Sequence, residues 1–198
     1  IVAAAEELLR PACDLAGWRV VVTAGPTREA LDPVRFLSNR SSGKMGYALA
    51  VPPGVERVEV TTAAEMCAAV LEHFSGATAL VMAAAVADWR PKAFSPEKIK
   101  KGEHKSLLLE LERTPDILAA VAPRKKPGQL VIGFAAESSR LTENAREKLL
   151  RKRLDFIVAN DITRSDAGFA SDTNEVKILW PDGRVEELPR AAKEEVAA

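Results

Sequence analysis

Two stretches of this chain combine residue types and spacing that can do chemistry. The first is the long segment TAGPTREALDPVRFLSNRSSGKMG, from Thr23 to Gly46. It is too polar and too rich in Gly and Pro for a plain strand-to-helix link, so it reads as a functional loop. Its end, Ser41-Ser42-Gly43-Lys44, places two hydroxyls, a glycine backbone and an ammonium at a helix start, where unpaired amides and the helix dipole favour phosphate oxygens. The same four residues also make an ordinary serine N-cap beside a solvated lysine. The pattern is neither G-x-G-x-x-G nor G-x-x-x-x-G-K-[ST], which counts against a dinucleotide or Walker-type site and against an NAD-dependent oxidoreductase.

The second stretch is the apolar run Leu80-Val81-Met82-Ala83-Ala84-Ala85 with Asp88 just beyond it. Small side chains at Ala83 and Ala84 let a ligand approach the backbone. Asp88 follows the carboxyl end of the strand, where open α/β sheets bind ligands, and is a candidate for a ribose hydroxyl, a metal-bound water or a metal; a loop-capping aspartate is the alternative. The polar stretch from Arg90 to Lys105 carries Glu97-Lys98-Ile99-Lys100-Lys101. Charge runs are usually solvated, but this one lies beside the ligand edge and can close as a lid that brings Lys98 onto phosphates or a developing oxyanion.

Three smaller features point to the same edge. Thr114-Pro115-Asp116-Ile117-Leu118 opens a helix after a strand, with Pro115 expected at the first helical position. Phe134 is a lone aromatic among small residues in GFAAE, suited to covering a base or to the core. Lys148 and Lys152 sit four apart on one helix face, where they reach a polyphosphate or stand as surface lysines. His73 and His104 show no partner pattern.

The elements that must position these residues alternate. Strands are expected at Trp18 to Ala24, Arg57 to Thr61, Thr78 to Ala85, Leu107 to Glu112, Gln129 to Ala136, Asp155 to Asn160 and Glu175 to Trp180. Helices are expected from a Ser41-Ser42 cap through Ala50, and over Ala63 to Phe74, Pro115 to Ala122 and Leu141 to Arg153. This order predicts an α/β fold, a three-layer, Rossmann-like, mostly parallel sheet, ending in an antiparallel hairpin at Pro181-Asp182-Gly183-Arg184. Ile1 to Arg10 reads as a linker helix stopped by Pro11, so residues 1–16 form an arm and 17–198 the domain. The helix ending at Ala50 runs straight into Pro52-Pro53-Gly54, where a βαβ unit should complete its crossover, so a segment is expected to be missing between Ala50 and Val51.

The composition bounds the function classes. Lys plus Arg and Asp plus Glu are each 28 in 198 residues, so no global field draws the chain to nucleic acid or membrane. Any cationic site must be local. Cys13 and Cys67 have no framework or metal-ligand spacing, which fits a reducing, cytoplasmic setting. No apolar run approaches the roughly 18 residues of a membrane span and no leader pattern opens the chain. A start at Ile1 suggests part of a longer protein.

In order, VVVTAGPTREALDPVRFLSNRSSGKMGYALA, VMAAAVADWRPK, SPEKIKK, TPDILAAV, VIGFAAE, KLLRKRLDFIVAND and FASDTNEVKIL resemble the bacterial phosphopantothenate-cysteine ligase family. That family is often fused behind a flavin-dependent decarboxylase as the C-terminal half of a bifunctional coenzyme A biosynthesis flavoprotein. The resemblance spans Gly17 to about Leu188. It implies that the 4′-phosphopantothenate carboxylate attacks the α-phosphate of CTP and that the amine of cysteine then displaces CMP from the acyl-cytidylate; opposing a carboxylate to a triphosphate calls for several cations, Mg²⁺ among them. It also implies roles: Asn39 and Lys98 as catalytic residues, and Arg35 with Asn39 on the pantothenate side. Around the nucleotide it places Ser41, Ser42, Gly43, Ala83, Ala84, Asp88, Lys98, Pro115, Asp116, Ile117, Leu118, Phe134, Lys148 and Lys152. The metal ligands stay unknown. The family is dimeric, and the C-terminal hairpin is the interface the resemblance leads us to expect.

Overall fold

The computed structural model describes residues 15–50, 54–101, 105–137, 139–161 and 171–197. The expected Ile1 to Arg10 helix and Cys13 lie outside them. In chain order the strands are β1 (Val20–Thr23), β2 (Arg28–Ala30), β3 (Phe36–Ser38), β4 (Ala79–Met82), β5 (Trp89–Pro91), β6 (Leu111–Arg113), β7 (Leu130–Glu137), β8 (Phe156–Asp161), β9 (Thr173–Leu179) and β10 (Val185–Ala192). The helices are α1 (Lys44–Leu49), α2 (Ala63–Phe74), α3 (Ile117–Val121), α4 (Leu141–Arg151) and α5 (Lys193–Ala197), with a 3₁₀ turn at Ala122–Arg124.

Six strands make the main sheet, in the order β1-β4-β7-β8-β9-β10. The first four are parallel neighbours, and β9 and β10 are antiparallel. Alternation along the strands sorts the core into two faces. Leu80, Met82, Val131, Ala135, Ile157 and Ala159 pack against α2, α3 and α4 through Val70, Phe74, Val121 and Leu149. Ala79, Ile132, Val158 and Val176 form the other face, which Val196 of α5 helps to cover, and α1 packs beside α5. The expected three-layer architecture with a closing hairpin is therefore the one observed.

Local signals explain the helix ends. Thr62 and Glu65 form a reciprocal capping box that starts α2: the Thr62 hydroxyl accepts from the Glu65 N–H, and the Glu65 carboxylate accepts from Thr61 and Thr62. Helix α4 stops without glycine. Arg153 takes the left-handed conformation, its N–H donates to the Leu150 carbonyl, and the Leu154 N–H donates to that of Leu149. This paired closure satisfies two terminal carbonyls and turns the buried Leu154 into β8.

Four expectations are corrected. Arg57 to Thr61 is not a strand: the Thr61 N–H donates to Glu65 and its carbonyl accepts from Arg28 rather than from a ladder partner. Leu107 to Glu112 is not a strand of the main sheet. Only Leu111–Arg113 pairs, with β5, in a separate two-stranded ribbon, because Leu107 and Leu108 find no apolar face and stay exposed. The N-cap of α1 is not a serine but Gly43, in the left-handed region, and the Ser42 hydroxyl before it accepts a long bond, 3.5 Å, from the Lys44 N–H. Pro115 precedes α3 rather than opening it, and Asp116 is the cap, accepting from the Ala119 N–H at 3.0 Å. The long Thr23 to Gly46 loop also contains a hairpin, β2–β3, that its polar composition did not reveal. Among the described residues no helix is long and apolar enough to cross a membrane.

Candidate functional site

A cleft of about 940 Å³ opens at the carboxyl ends of the parallel strands, the edge at which open α/β sheets bind ligands. Its floor is a set of cross-linked loops. The Ala85 N–H donates to Gly25 and the Ala87 N–H donates to the Thr27 hydroxyl at 2.9 Å. The Thr114 hydroxyl donates to the Ala87 carbonyl at 2.6 Å. Thr27 is 1% exposed, so this stitching is sealed from water. It fixes the start of the long loop to the end of β4 and to the lead-in of α3.

The cleft gathers Asn39, Ser41, Ser42, Gly43, Ala83, Ala84, Asp88, Pro115, Asp116, Ile117, Leu118, Phe134, Lys148 and Lys152. The serine-glycine turn, the end of β4 and the end of β7 therefore share one edge, as the sequence reading requires. Gly43 is there for close approach: a Cβ would sit 2.8 Å from the Tyr47 ring and 2.9 Å from the Gly25 Cα, and its φ of +74° suits glycine. The Ser41 hydroxyl accepts from the Gly43 N–H at 3.2 Å and so shapes the turn. Since α1 has only six residues, its dipole is short, and the attraction for anions rests more on side-chain cations than the sequence suggested.

Those cations are numerous. Among the described residues, seven basic side chains and two acidic ones line the cleft, so a globally neutral chain presents a local positive surplus that suits a polyphosphate. The Lys148 ammonium donates to the Phe134 carbonyl at 2.7 Å. Burial holds its pKa below the ordinary lysine value, although Glu137 and Asp88 oppose that shift. Lys152 pairs with Asp116. Burial works to raise the Asp116 pKa, but the Lys152 hydrogen bond and the Ala119 N–H outweigh it and hold the carboxyl below its usual range.

The lowered Lys148 pKa has a testable consequence. An anion in the cleft stabilises the ammonium and raises that pKa, so binding takes up a proton where the unliganded amine has already lost it. Nucleotide affinity is expected to fall with rising pH before the ordinary lysine value of 10.5 is reached. Without ligand the sign is opposite, because the unfolded chain binds more protons, and stability rises through that window. Calorimetry in buffers of different ionisation enthalpy checks the proton uptake, and a binding enthalpy independent of buffer would refute it.

Two expected residues stand apart. Arg35 and Lys98 do not line the cleft. The Arg35 guanidinium is bonded to the Asp32 carboxylate and to the Ile99 carbonyl, and Lys98 is exposed on the neighbouring loop. Asn39 faces the cleft with its amide donating to the carbonyls of Ala85 and Val86, at 3.3 and 2.9 Å.

Lys44, expected from the sequence, lines the cleft and pairs with Asp172, whereas sequence reasoning missed Arg113, Arg151, Asn160, Asn174 and Lys193. Arg151 lies one turn beyond Lys148 and was readable from helical spacing. Lys193 carried no local signal. It is brought in by the return of β10, is 3% exposed, and donates to the Ser171 carbonyl at 2.6 Å. Burial, with Lys44 nearby, holds its pKa below the usual value. Cys67 is buried in the core, which pushes its thiol pKa up and keeps it away from the cleft chemistry.

Comparison with known proteins agrees with this picture. The family model "DNA/pantothenate metabolism flavoprotein C-terminal domain" matches residues 15–52 and 49–198. The coenzyme A biosynthesis bifunctional protein CoaBC of Bacillus subtilis is 44% identical, over 98% of this chain and 52% of that protein. The Escherichia coli K12 protein of the same name is 43% identical, over 87% of this chain and 48% of its own length. The chain thus spans about half the length of the curated relatives it matches. The crystal structure of the C-terminal domain of a CoaBC superposes with a TM-score of 0.73 at 39% identity, covering 91% of this chain and 90% of that one. The DNA/pantothenate metabolism flavoprotein from Streptococcus pneumoniae shares the fold at a TM-score of 0.74 and 22% identity, covering 91% of this chain and 95% of that one. By sequence and by fold, the chain belongs to the DNA/pantothenate metabolism flavoprotein C-terminal domain family.

Proposed function

We propose that the chain is a ligase that joins 4′-phosphopantothenate to L-cysteine in coenzyme A biosynthesis, with CTP as the activating nucleotide. The observation that carries this reading is the convergence of the Ser41 to Gly43 turn, Asp88, Phe134 and the α4 lysines on one cationic cleft. The names of its relatives, bifunctional coenzyme A biosynthesis proteins, support the pathway. Their being bifunctional, together with the flavoprotein family of this domain, also supports fusion to a flavoprotein half, which we read as a flavin-dependent decarboxylase in a cytoplasmic enzyme.

The chemistry runs in two steps. A carboxylate oxygen of 4′-phosphopantothenate attacks the α-phosphorus of CTP, the bond to the β-phosphate oxygen breaks, and pyrophosphate leaves. The cysteine amine then attacks the acyl carbon, the bond to CMP breaks, and the amine gives up a proton. Both reactants of the first step are anions, so the site must neutralise them as the bond forms. Lys148 and Lys152 hold the polyphosphate, Phe134 covers the base, and Lys98 closes over the reacting phosphate. Ala83, Ala84 and the stretch from Pro115 to Leu118 shape the nucleoside pocket, and Arg35 and Asn39 take the pantothenate side.

Mg²⁺ fits as an ion that arrives on the nucleotide. No group of three His, Cys, Asp or Glu comes together among the described residues. Exposed Asp88 offers one carboxylate at the cleft, which suits an ion otherwise held by phosphate oxygens and water. When bound it supplies charge neutralisation at those oxygens.

A homodimer belongs to the same reading. Val34 and Phe36 of the β2–β3 hairpin and Trp89, Phe94, Leu108 and Leu111 around the β5–β6 ribbon are exposed. The two ribbons touch, so these side chains offer a second copy a more apolar surface than the C-terminal hairpin does.

Pyrophosphate release from CTP and 4′-phosphopantothenate, measured without cysteine, decides the proposal. Release in step with nucleotide consumption is expected. A folded chain that binds CTP and releases none would instead be a nucleotide-binding regulatory domain.

A further inference from the structure

The carboxylate of Asp32 sits at the turn between β2 and β3, and its side chain is wholly covered. One oxygen accepts from the N–H groups of Val34 and Arg35, at 2.8 and 2.7 Å. The other accepts from Arg35 Nε at 2.9 Å and Nη2 at 2.5 Å, and from the Ile99 N–H at 3.1 Å. Arg35 Nη2 also donates to the Ile99 carbonyl at 2.8 Å. Both backbone groups of Ile99 are thus held by this carboxylate and its arginine. Four residues earlier the same loop is tied again, where the Ser95 N–H donates to the Leu31 carbonyl at 3.0 Å. Lys98 lies between these tethers. The other end of the hairpin carries Asn39, anchored to the end of β4.

From this arrangement we infer that Asp32 is a positioning residue that locks the lysine loop to the hairpin bearing Asn39, so that Lys98 and Asn39 are presented as one rigid unit. The inference rests on the ligase reading for its effect on chemistry, but the lock itself is a property of the fold. Asp32 suits the task because a carboxylate accepts from several donors at once. Arg35 Nε, Arg35 Nη2 and the Ile99 N–H all converge on one oxygen, and an amide can satisfy the two N–H groups of the turn only by facing those three donors with its own NH₂. The role is distinct from binding: Asp32 does not line the cleft, so it acts on the loop and not on the nucleotide.

The test uses Asp32→Asn in the full chain, with Ile99→Pro as a second variant that deletes the loop N–H and leaves the hairpin turn intact. Amide hydrogen exchange of residues 95–101 is compared with the wild type. CTP affinity and the rate of pyrophosphate release with 4′-phosphopantothenate are measured on the same samples. We expect exchange in the loop to accelerate at least about tenfold in both variants, CTP affinity to stay within about twofold, and pyrophosphate release to fall about tenfold or more, as misplacement of a catalytic group predicts. Unchanged loop exchange in Asp32→Asn, or in Ile99→Pro should Asp32→Asn not fold, overturns the lock. Faster exchange with an unchanged release rate overturns its role in presenting Lys98. A wild type that releases no pyrophosphate, with faster loop exchange in the variants, would sink the ligase reading while leaving the lock in place.

Discussion

Lys98→Gln is expected to bind CTP normally and to release pyrophosphate more slowly by about 10²- to 10³-fold, the loss typical of removing one charge-stabilising group from a reacting centre. Nucleotide binding is expected to survive because Lys98 is not in the cleft wall, whereas Lys148 and Lys152, to which the proposal assigns the polyphosphate, are. Bond formation does not survive, because a carboxylate must approach a triphosphate and glutamine brings a dipole where a full charge is required. The side chain is exposed while Ile99 beside it is anchored, so the backbone is held and the long lysine stem can swing. Single-turnover pyrophosphate release, with CTP affinity measured by calorimetry, separates the two effects. A variant that activates 4′-phosphopantothenate at the wild-type rate removes Lys98 from the mechanism.

Asn39→Asp is the second large effect, and the structure makes it larger than the sequence alone implies. The amide of Asn39 donates to the carbonyls of Ala85 and Val86. An aspartate there turns carboxylate oxygens toward two carbonyl oxygens and loses the NH₂ that, on leaving the longer of its two carbonyl contacts, can donate to the tetrahedral oxyanion in the second step. Transfer to cysteine is expected to slow by about 10²-fold or more, so that acyl-cytidylate accumulates and is trapped on quenching. Unchanged turnover with cysteine would count against the assignment, and an unaltered Tm would show that the carbonyl contacts matter little to the fold.

What could be read from the sequence follows from how local each signal is. β4, β7 and β8 are short runs of apolar residues buried on both faces, and α2 and α4 carry regular amphipathic spacing, so their existence was legible. The Ser41 to Gly43 turn, Asp88 and Phe134 were legible as candidates for one edge because each carries a local signal: a glycine and two serines in a long polar loop, an acid just beyond an apolar run, and an aromatic among small residues. The β2–β3 hairpin was hidden because its strands have three residues each and two of its three buried members, Glu29 and Asp32 beside Leu31, are charged. Burial of Glu29 makes sense only once its carboxylate is seen to accept from the Ala63 N–H at the start of α2. Lys193 and Asn174 were hidden for another reason: their place at the cleft depends on the course of β9 and β10, a long-range fact that no window of residues contains.

The outermost strand has a bearing on how copies of the chain meet. Pairing of β10 with β9 breaks between Leu188 and Ala191, where Pro189 and Arg190 intervene, and Glu186 and Glu187 lie along the same stretch. A border with an interrupted ladder and like charges is a poor template for another backbone. Fibril-like stacking and edge-to-edge dimers are both discouraged there, and the sheet is closed to growth at its C-terminal margin by its own covalent chemistry.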